Sequence, residues 1–172
     1  IEEYAPKVSD TDPIRSAIGQ GTNNYTTAGL ARYVTTVANK GTCYNLTLID
    51  KVTDSNNNLL YDNQATVRNT LDDVSESTWN AVQLGMKRVV EKKSYFQELG
   101  VTVAGKTGTA QESKTRANHA LFVCFAPYEE PEIAIATRIA FGYSSDYAAQ
   151  TTKDVLAFYY GVDDDEDIVT GT

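Results

Sequence analysis

The chain is poor in the residues that build metal and redox centres. It has one histidine, His119, and two cysteines, Cys43 and Cys124. These are too few and too far apart for Cys/His ligand spacing, so no cofactor or metal is expected. Cys124 lies in the apolar run ALFVCFA and reads as a buried small hydrophobe, whereas pairing with Cys43 is left open. No apolar run approaches the roughly 18–20 residues that cross a bilayer. The first residues, IEEYAPK, are acidic and do not resemble a signal peptide, so any anchor is expected upstream of residue 1. Lys and Arg gather on no segment, which argues against nucleic acid as a partner. The net charge of −8 is concentrated in DDDED at 163–167; the remainder carries about −3, and 163–172 reads as a solvated acidic tail.

What is present suits a globular domain. The 172 residues are 41% hydrophobic and 10% aromatic, enough to build a core. Residues 1–25, with Pro6, Pro13 and IGQGTNN, read as irregular, and Gly19, Gln20 and Gly21 as a backbone turn. A helix follows, capped by Thr26 or Thr27, with Leu30, Val34, Val37 and Ala38 on one stripe and Gly41 at its end. LTLIDKVTD and LLYDNQATV flank SNNN as two strands of a hairpin. A second helix is expected from Ser75–Ser77, its stripe formed by Trp79, Val82, Met86, Val89 and Val90. Three strands come next, VTVAGKTGTAQ, HALFVCFAPY and EIAIATRIAF. The middle one is apolar on both faces and so central. His119 begins it and is given a structural role. A last helix, about 146–160, is introduced by Ser144 and Ser145 and stopped by Gly161, with Ala149, Thr152, Leu156 and Tyr159 on one side and Val155 beside them. Trp79, Tyr159 and Tyr160 read as packing residues. The pattern is α+β, with helices packed on an antiparallel sheet.

The stretch GVTVAGKT, residues 100–107, fits the phosphate-loop pattern G-x-x-x-x-G-K-[ST]. A phosphate loop needs an apolar strand before it and a helix after it. Here EKKSYFQEL precedes it as the fading end of a helix, and GTAQESKTRAN follows without helical periodicity. The alternating, β-branched VTVA is itself a strand, and it carries on through Lys106, Thr107, Gly108, Thr109 and Ala110. Lys106 and Gly108 then share a face, and Thr107 points the other way. Lysine is common on edge strands as protection against aggregation. A mid-strand glycine marks close approach of a ligand or another backbone. Together these features describe an edge strand with a cation and two hydroxyls, suited to an extended substrate ending in a carboxylate.

Several segments, in order, carry a resemblance. AGKTGTAQ, NHALFVCFAPYEEPEIAIA and GYSSDYAAQTTKDVLAFYYG resemble the C-terminal half of a class B penicillin-binding protein transpeptidase domain. AIGQGTNNYTTAGLARYVTTVANKGT resembles that family's S-I-G-Q-G segment and its helix, with Ala17 in place of the serine, and TWNAVQLGMKRVV resembles the helix before the K-T-G strand. The resemblance implies that residues 1–162 are the C-terminal portion of such a domain. It implies a peptidoglycan D,D-transpeptidase, in which a serine is acylated by stem peptides ending in D-Ala-D-Ala and β-lactams imitate the donor. Lys106 would hold the substrate carboxylate and the proton network, Thr107 and Thr109 would offer hydroxyls to that carboxylate, the Thr109 N–H would form half of the oxyanion hole, and Gly108 would keep the strand slim. It also implies work on the extracytoplasmic face of a bacterial membrane, with an upstream anchor.

The departures are as informative. No serine has a lysine three residues on, so the S-x-x-K nucleophile and base are missing. Ser55-Asn56-Asn57 spells S-x-N but lies in the hairpin turn and follows the G-Q-G segment, whereas the family's motif precedes it. The chain is therefore expected to be catalytically incomplete alone, to need the missing N-terminal half of its domain, and to self-associate through apolar surface that half would cover. Two other functions share a K-T-G strand: a D,D-carboxypeptidase or serine β-lactamase, which passes the acyl group to water, and a non-catalytic penicillin-binding sensor.

Overall fold

The computed structural model describes residues 10–17, 19, 25–112 and 114–162. The expected turn at Gln20 and Gly21 and the acidic tail at 163–172 lie outside them. Within the first segment, expected to be irregular, Asp12–Ser16 forms a short helix, α1, with Pro13 in its first turn, where a missing N–H costs nothing.

Helix α2 spans Thr27–Ala38. Thr26 caps it, its Oγ1 accepting the Gly29 N–H at 3.0 Å. Val34 and Val37 are buried, as the apolar stripe requires. Gly41, at φ 103°, turns the chain away and donates to Thr36 O at 2.9 Å. Helix α3, Glu76–Glu91, starts behind Ser75, whose side chain accepts the Thr78 N–H. Its inner face differs from the expected one. Val82 is 42% exposed, while Gln83 is buried and its Nε2 donates to Val37 O at 2.8 Å and Ala38 O at 3.1 Å. A polar side chain thus faces inward because it satisfies the last carbonyls of α2.

The hairpin expected around SNNN forms, with shorter strands than expected. LTLI at 46–49 forms no strand. A ribbon of β2 (Lys51–Thr53) and β3 (Leu59–Asp62) surrounds the turn, and a separate pair joins β1 (Thr42–Tyr44) to β4 (Val67–Thr70). Every residue of β2 and β3 is exposed, Leu59 and Leu60 included. Alternation without a covering layer buries nothing.

The main sheet has the order β5-β6-β7, all antiparallel: β5 Ala104–Ala110, β6 His119–Ala126, β7 Ile133–Ile139. The expected strand at VTVA begins only at Ala104, since Ser94–Leu99 forms a 3₁₀ helix and Gly100 a left-handed turn at φ 68°. β6 is central and covered on both faces. Phe122, Cys124 and Ala126 pack with Leu99, Ala149 and Leu156 on one side, and Phe125 packs with Val34 and Val37 of α2 on the other. Phe122, Phe125, Leu99 and Leu156 are fully buried, each contributing about 1.5–3 kcal/mol of transfer free energy.

Helix α4, Ser145–Tyr160, is capped by Ser144, whose side chain accepts the Asp146 N–H, and ends at Gly161 in the left-handed region. Ala149, Thr152 and Leu156 are buried as expected, but Tyr159 and Val155 are 52% and 47% exposed; Ala148 and Ala157 take their inner places. Small residues let α4 lie close to the sheet. Lys93 and Tyr95 meet Asp146 at the start of α4, Tyr95 Oη donating to Oδ1 at 2.8 Å. The Lys93 and Tyr95 hydrogen bonds hold the Asp146 carboxyl below its ordinary pKa. This network fixes the 3₁₀ segment, and so the start of β5, against α4.

Candidate active site

Lys106, Thr107, Gly108 and Thr109 lie consecutively in β5, the outer strand of its sheet. Among the described residues β5 pairs with β6 alone, so its other edge has no strand partner. Strand pairing fixes the facing of each residue. Lys106 and Gly108 stand opposite Val123 and Leu121 on one face, Thr107 and Thr109 opposite Phe122 and Ala120 on the other. Lys106 and Thr109 are exposed, and Thr107 and Gly108 half-buried. The Lys106 Nζ donates to the Thr107 carbonyl at 2.8 Å, which holds the ammonium along the strand. The phosphate-loop reading fails here on geometry, since the G-K-T residues are extended rather than wrapped before a helix.

Ser55, Asn56 and Asn57 occupy the turn between β2 and β3. Asp54 Oδ1 accepts the N–H groups of Asn56 and Asn58 at 2.8 and 2.9 Å, and these side-chain and backbone hydrogen bonds, that from the Asn58 side chain foremost, lower the Asp54 pKa. The segment reads as turn chemistry, not as proton-shuttling chemistry.

Gly105 went unnoticed in the sequence. A Cβ there would stand 2.5 Å from Phe122 Cζ, 3.0 Å from Val123 O and 3.1 Å from Cys124 Cβ, whereas one at Gly108 meets only Leu121 Cβ, at 3.3 Å. Gly105 thus lets β5 lie against β6, while Gly108 leaves the face beside Lys106 slim. The clue in the letters was a second glycine three residues before Gly108, facing an aromatic in the next strand. Cys43 and Cys124 are free thiols, and burial pushes the Cys124 thiol up to about 12. Among the described residues no cluster of His, Cys, Asp and Glu could hold a metal ion, and no helix is long and apolar enough to cross a membrane.

Residues 4–157 match the family described as the penicillin-binding protein transpeptidase domain. The chain belongs to that family. It is 35% identical over 144 residues to penicillin-binding protein 2A of Bacillus subtilis, a match covering 74% of this chain and 20% of that protein. It is 34% identical over 98 residues to the peptidoglycan D,D-transpeptidase MrdA of Acinetobacter baumannii, covering 49% of this chain and 14% of that protein. Among solved structures it is similar to the imipenem acyl-enzyme complex of penicillin-binding protein A from M. tuberculosis, with a TM-score of 0.69 and 23% identity over 87% of this chain and 33% of that one. The α+β fold read from the sequence is that of the family. The chain spans about a fifth or less of the length of the curated relatives it matches.

Proposed function

We propose that this chain is one wall of the active site of a peptidoglycan D,D-transpeptidase, and that the nucleophilic serine and its lysine belong to residues outside this sequence. The observation that carries the proposal is the K-T-G segment, exposed at Lys106 and half-buried at Thr107 and Gly108, on an edge strand in a chain of this family. An extended donor ending in D-Ala-D-Ala adds to the free edge of β5 through main-chain hydrogen bonds. The hydroxyls of Thr107 and Thr109, on one face of β5, take its terminal carboxylate, and Lys106, reaching from the other face, supplies positive potential to that carboxylate and to the proton network. The serine Oγ attacks the carbonyl carbon of the penultimate D-Ala; a C–O bond forms, the C–N bond breaks, and D-Ala leaves after its nitrogen gains a proton. An amine of a neighbouring stem then attacks the ester and restores the serine. The Thr109 N–H stabilises the oxyanion of both steps, a contribution of about 10²–10³ in rate for one donor.

On this reading 1–162 is the C-terminal portion of the domain and 163–172 an acidic extension. β-Lactams acylate the same serine; that penicillin-binding protein A from M. tuberculosis forms an imipenem acyl-enzyme supports acylation by this class. The site works on the extracytoplasmic face of the membrane, anchored by a segment outside these residues. The exposed leucines of the β2–β3 ribbon support self-association of the chain by itself, which light scattering at high concentration tests.

The deciding experiment is intact mass after exposure to benzylpenicillin, on this chain and on the protein extended upstream in its own reading frame. One penicilloyl group on the extended form alone supports the proposal. Labelling of this chain by itself overturns its incompleteness, and labelling of neither form overturns acyl transfer.

A further inference from the structure

Beyond Thr109 the K-T-G strand ends against a cluster built on His119. His119 is 6% exposed and stands opposite Ala110, the residue after Thr109. Its Nδ1 accepts the Phe141 N–H at 3.1 Å. An accepting Nδ1 puts the neutral ring's proton on Nε2, which donates to Glu112 Oε2 at 2.6 Å. Nη2 of Arg138 lies 3.3 Å from both ring nitrogens. The ring packs on Phe141 with centroids 4.7 Å apart, and the Arg116 guanidinium covers Phe141 at 5.3 Å.

These contacts join two connections. Glu112 and Arg116 belong to the link between β5 and β6, Phe141 to the turn between β7 and α4. Phe141 and Tyr143 have φ of 55° and 61°, a region that non-glycine residues keep only where neighbours impose it. The imposing bonds here are Phe141 N–H to His119 and Tyr143 N–H to Asn118 O, the latter 3.2 Å. The Glu112 side chain is 66% exposed while the His119 ring is buried, so the bond ties an open side chain to a fixed one and aims Glu112.

We propose that His119 is a positioning residue, holding Glu112 and Arg116 together with the Phe141–Tyr143 turn as one wall past Thr109 that sets the register of an extended acyl-donor peptide along β5. This rests on the acyl-transfer reading above. A small β-lactam seated at Lys106–Thr109 needs that wall less than a peptide does.

The test uses the native-length protein and compares acylation by benzylpenicillin with turnover of an extended donor peptide ending in D-Ala-D-Ala. H119A lowers kcat/KM for the peptide by about 10–100-fold, the scale of a misplacement near 1 Å, mostly through KM, and lowers penicillin acylation less than threefold. H119N keeps an acceptor at the Nδ1 position but frees Glu112, so it matches E112A. H119Q keeps a donor at the Nε2 position and rescues part of the peptide activity. If H119A does not fold, H119N, H119Q and E112A carry the same comparison. Equal losses for peptide and penicillin that track the melting temperature, or no loss in H119N and E112A, overturn the proposal. A wild-type protein that benzylpenicillin does not label overturns the acyl-transfer reading, and this one with it.

Discussion

The two glycines of the A-G-K-T-G run make different demands, and substituting each separates packing from catalysis. In G105A the new methyl stands 2.5 Å from Phe122 Cζ, where carbon atoms prefer about 3.5–4.0 Å, so the two must separate by about 1 Å. Phe122 has nowhere to go, being 0% exposed and packed on Phe96 with ring centroids 5.7 Å apart. The second contact, Val123 O at 3.0 Å, is backbone and moves only with the β5–β6 pairing. Overpacking of this kind costs about 1–3 kcal/mol; at 2 kcal/mol a domain of this size melts about 4–8 °C lower. G108A meets only Leu121 Cβ at 3.3 Å, a contact that relaxes by a few tenths of an ångström, and alanine restricts the unfolded chain, which offsets part of the cost. Its stability stays within about 0.5 kcal/mol of wild type. Catalysis is expected to reverse the order: G108A slows acylation despite its small stability loss, because the added methyl thickens the strand against which the acyl group is proposed to lie. Thermal unfolding and benzylpenicillin acylation, measured on both variants of the native-length protein, decide it. A G105A protein that melts with wild type, or a G108A protein that acylates at the wild-type rate, refutes the assignment of the glycine concerned.

Other outcomes follow from the same contacts. Q83L takes the Gln83 Nε2 donor from Ala38 O and from Val37 O, which keeps the Lys40 N–H at 3.2 Å, and destabilises by about 1–3 kcal/mol, read from thermal unfolding; a neutral result removes the capping role. Asp146 has a lowered pKa because the hydrogen bonds from Lys93 and Tyr95 favour its charged form. Its contribution is fully present above the ordinary carboxylate value of about 3.9 and is lost as pH falls from there through the folded value, where the unfolded chain binds more protons. D146N therefore flattens the acid limb of a stability–pH profile below about pH 4.5, and an unchanged limb contradicts the network. Cys124, buried with its thiol pushed up to about 12, stays unreactive to a thiol reagent at pH 8 until the protein unfolds, as reagent titration with and without denaturant will show; rapid native labelling refutes its burial.

Most of the scaffold was written in local chemistry. Ser75, Ser144, Thr26 and Gly161 cap helices as their types suggest, and β6 is apolar on both faces because both are covered. The inner faces of α3 and α4 were less legible. Val82 and Tyr159 fit an apolar period but point outward, since Gln83 gains two carbonyl partners and alanines pack closer than tyrosine. The β1–β4 pair joins TCY to VRNT across more than twenty residues with little apolar signal, so nothing local announces it. In the candidate site, Lys106–Thr109 was legible because its period and letters agree. Gly105 was not, because it takes its meaning from Phe122 on the neighbouring strand.

The β2–β3 ribbon stands apart from the main sheet. Among the described residues nothing in the core leans on it, every strand residue is open to water, and its turn is held by short-range bonds to Asp54. A lineage is free to lengthen the 54–58 turn, to splice in a module or to redecorate Leu59 and Leu60 without disturbing β5, as exposed loop tips tolerate. For an experimenter the same freedom makes Asn56 a place to attach a dye or an affinity handle. The ribbon is where this domain can acquire new attachments while the Lys106–Thr109 strand stays as it is.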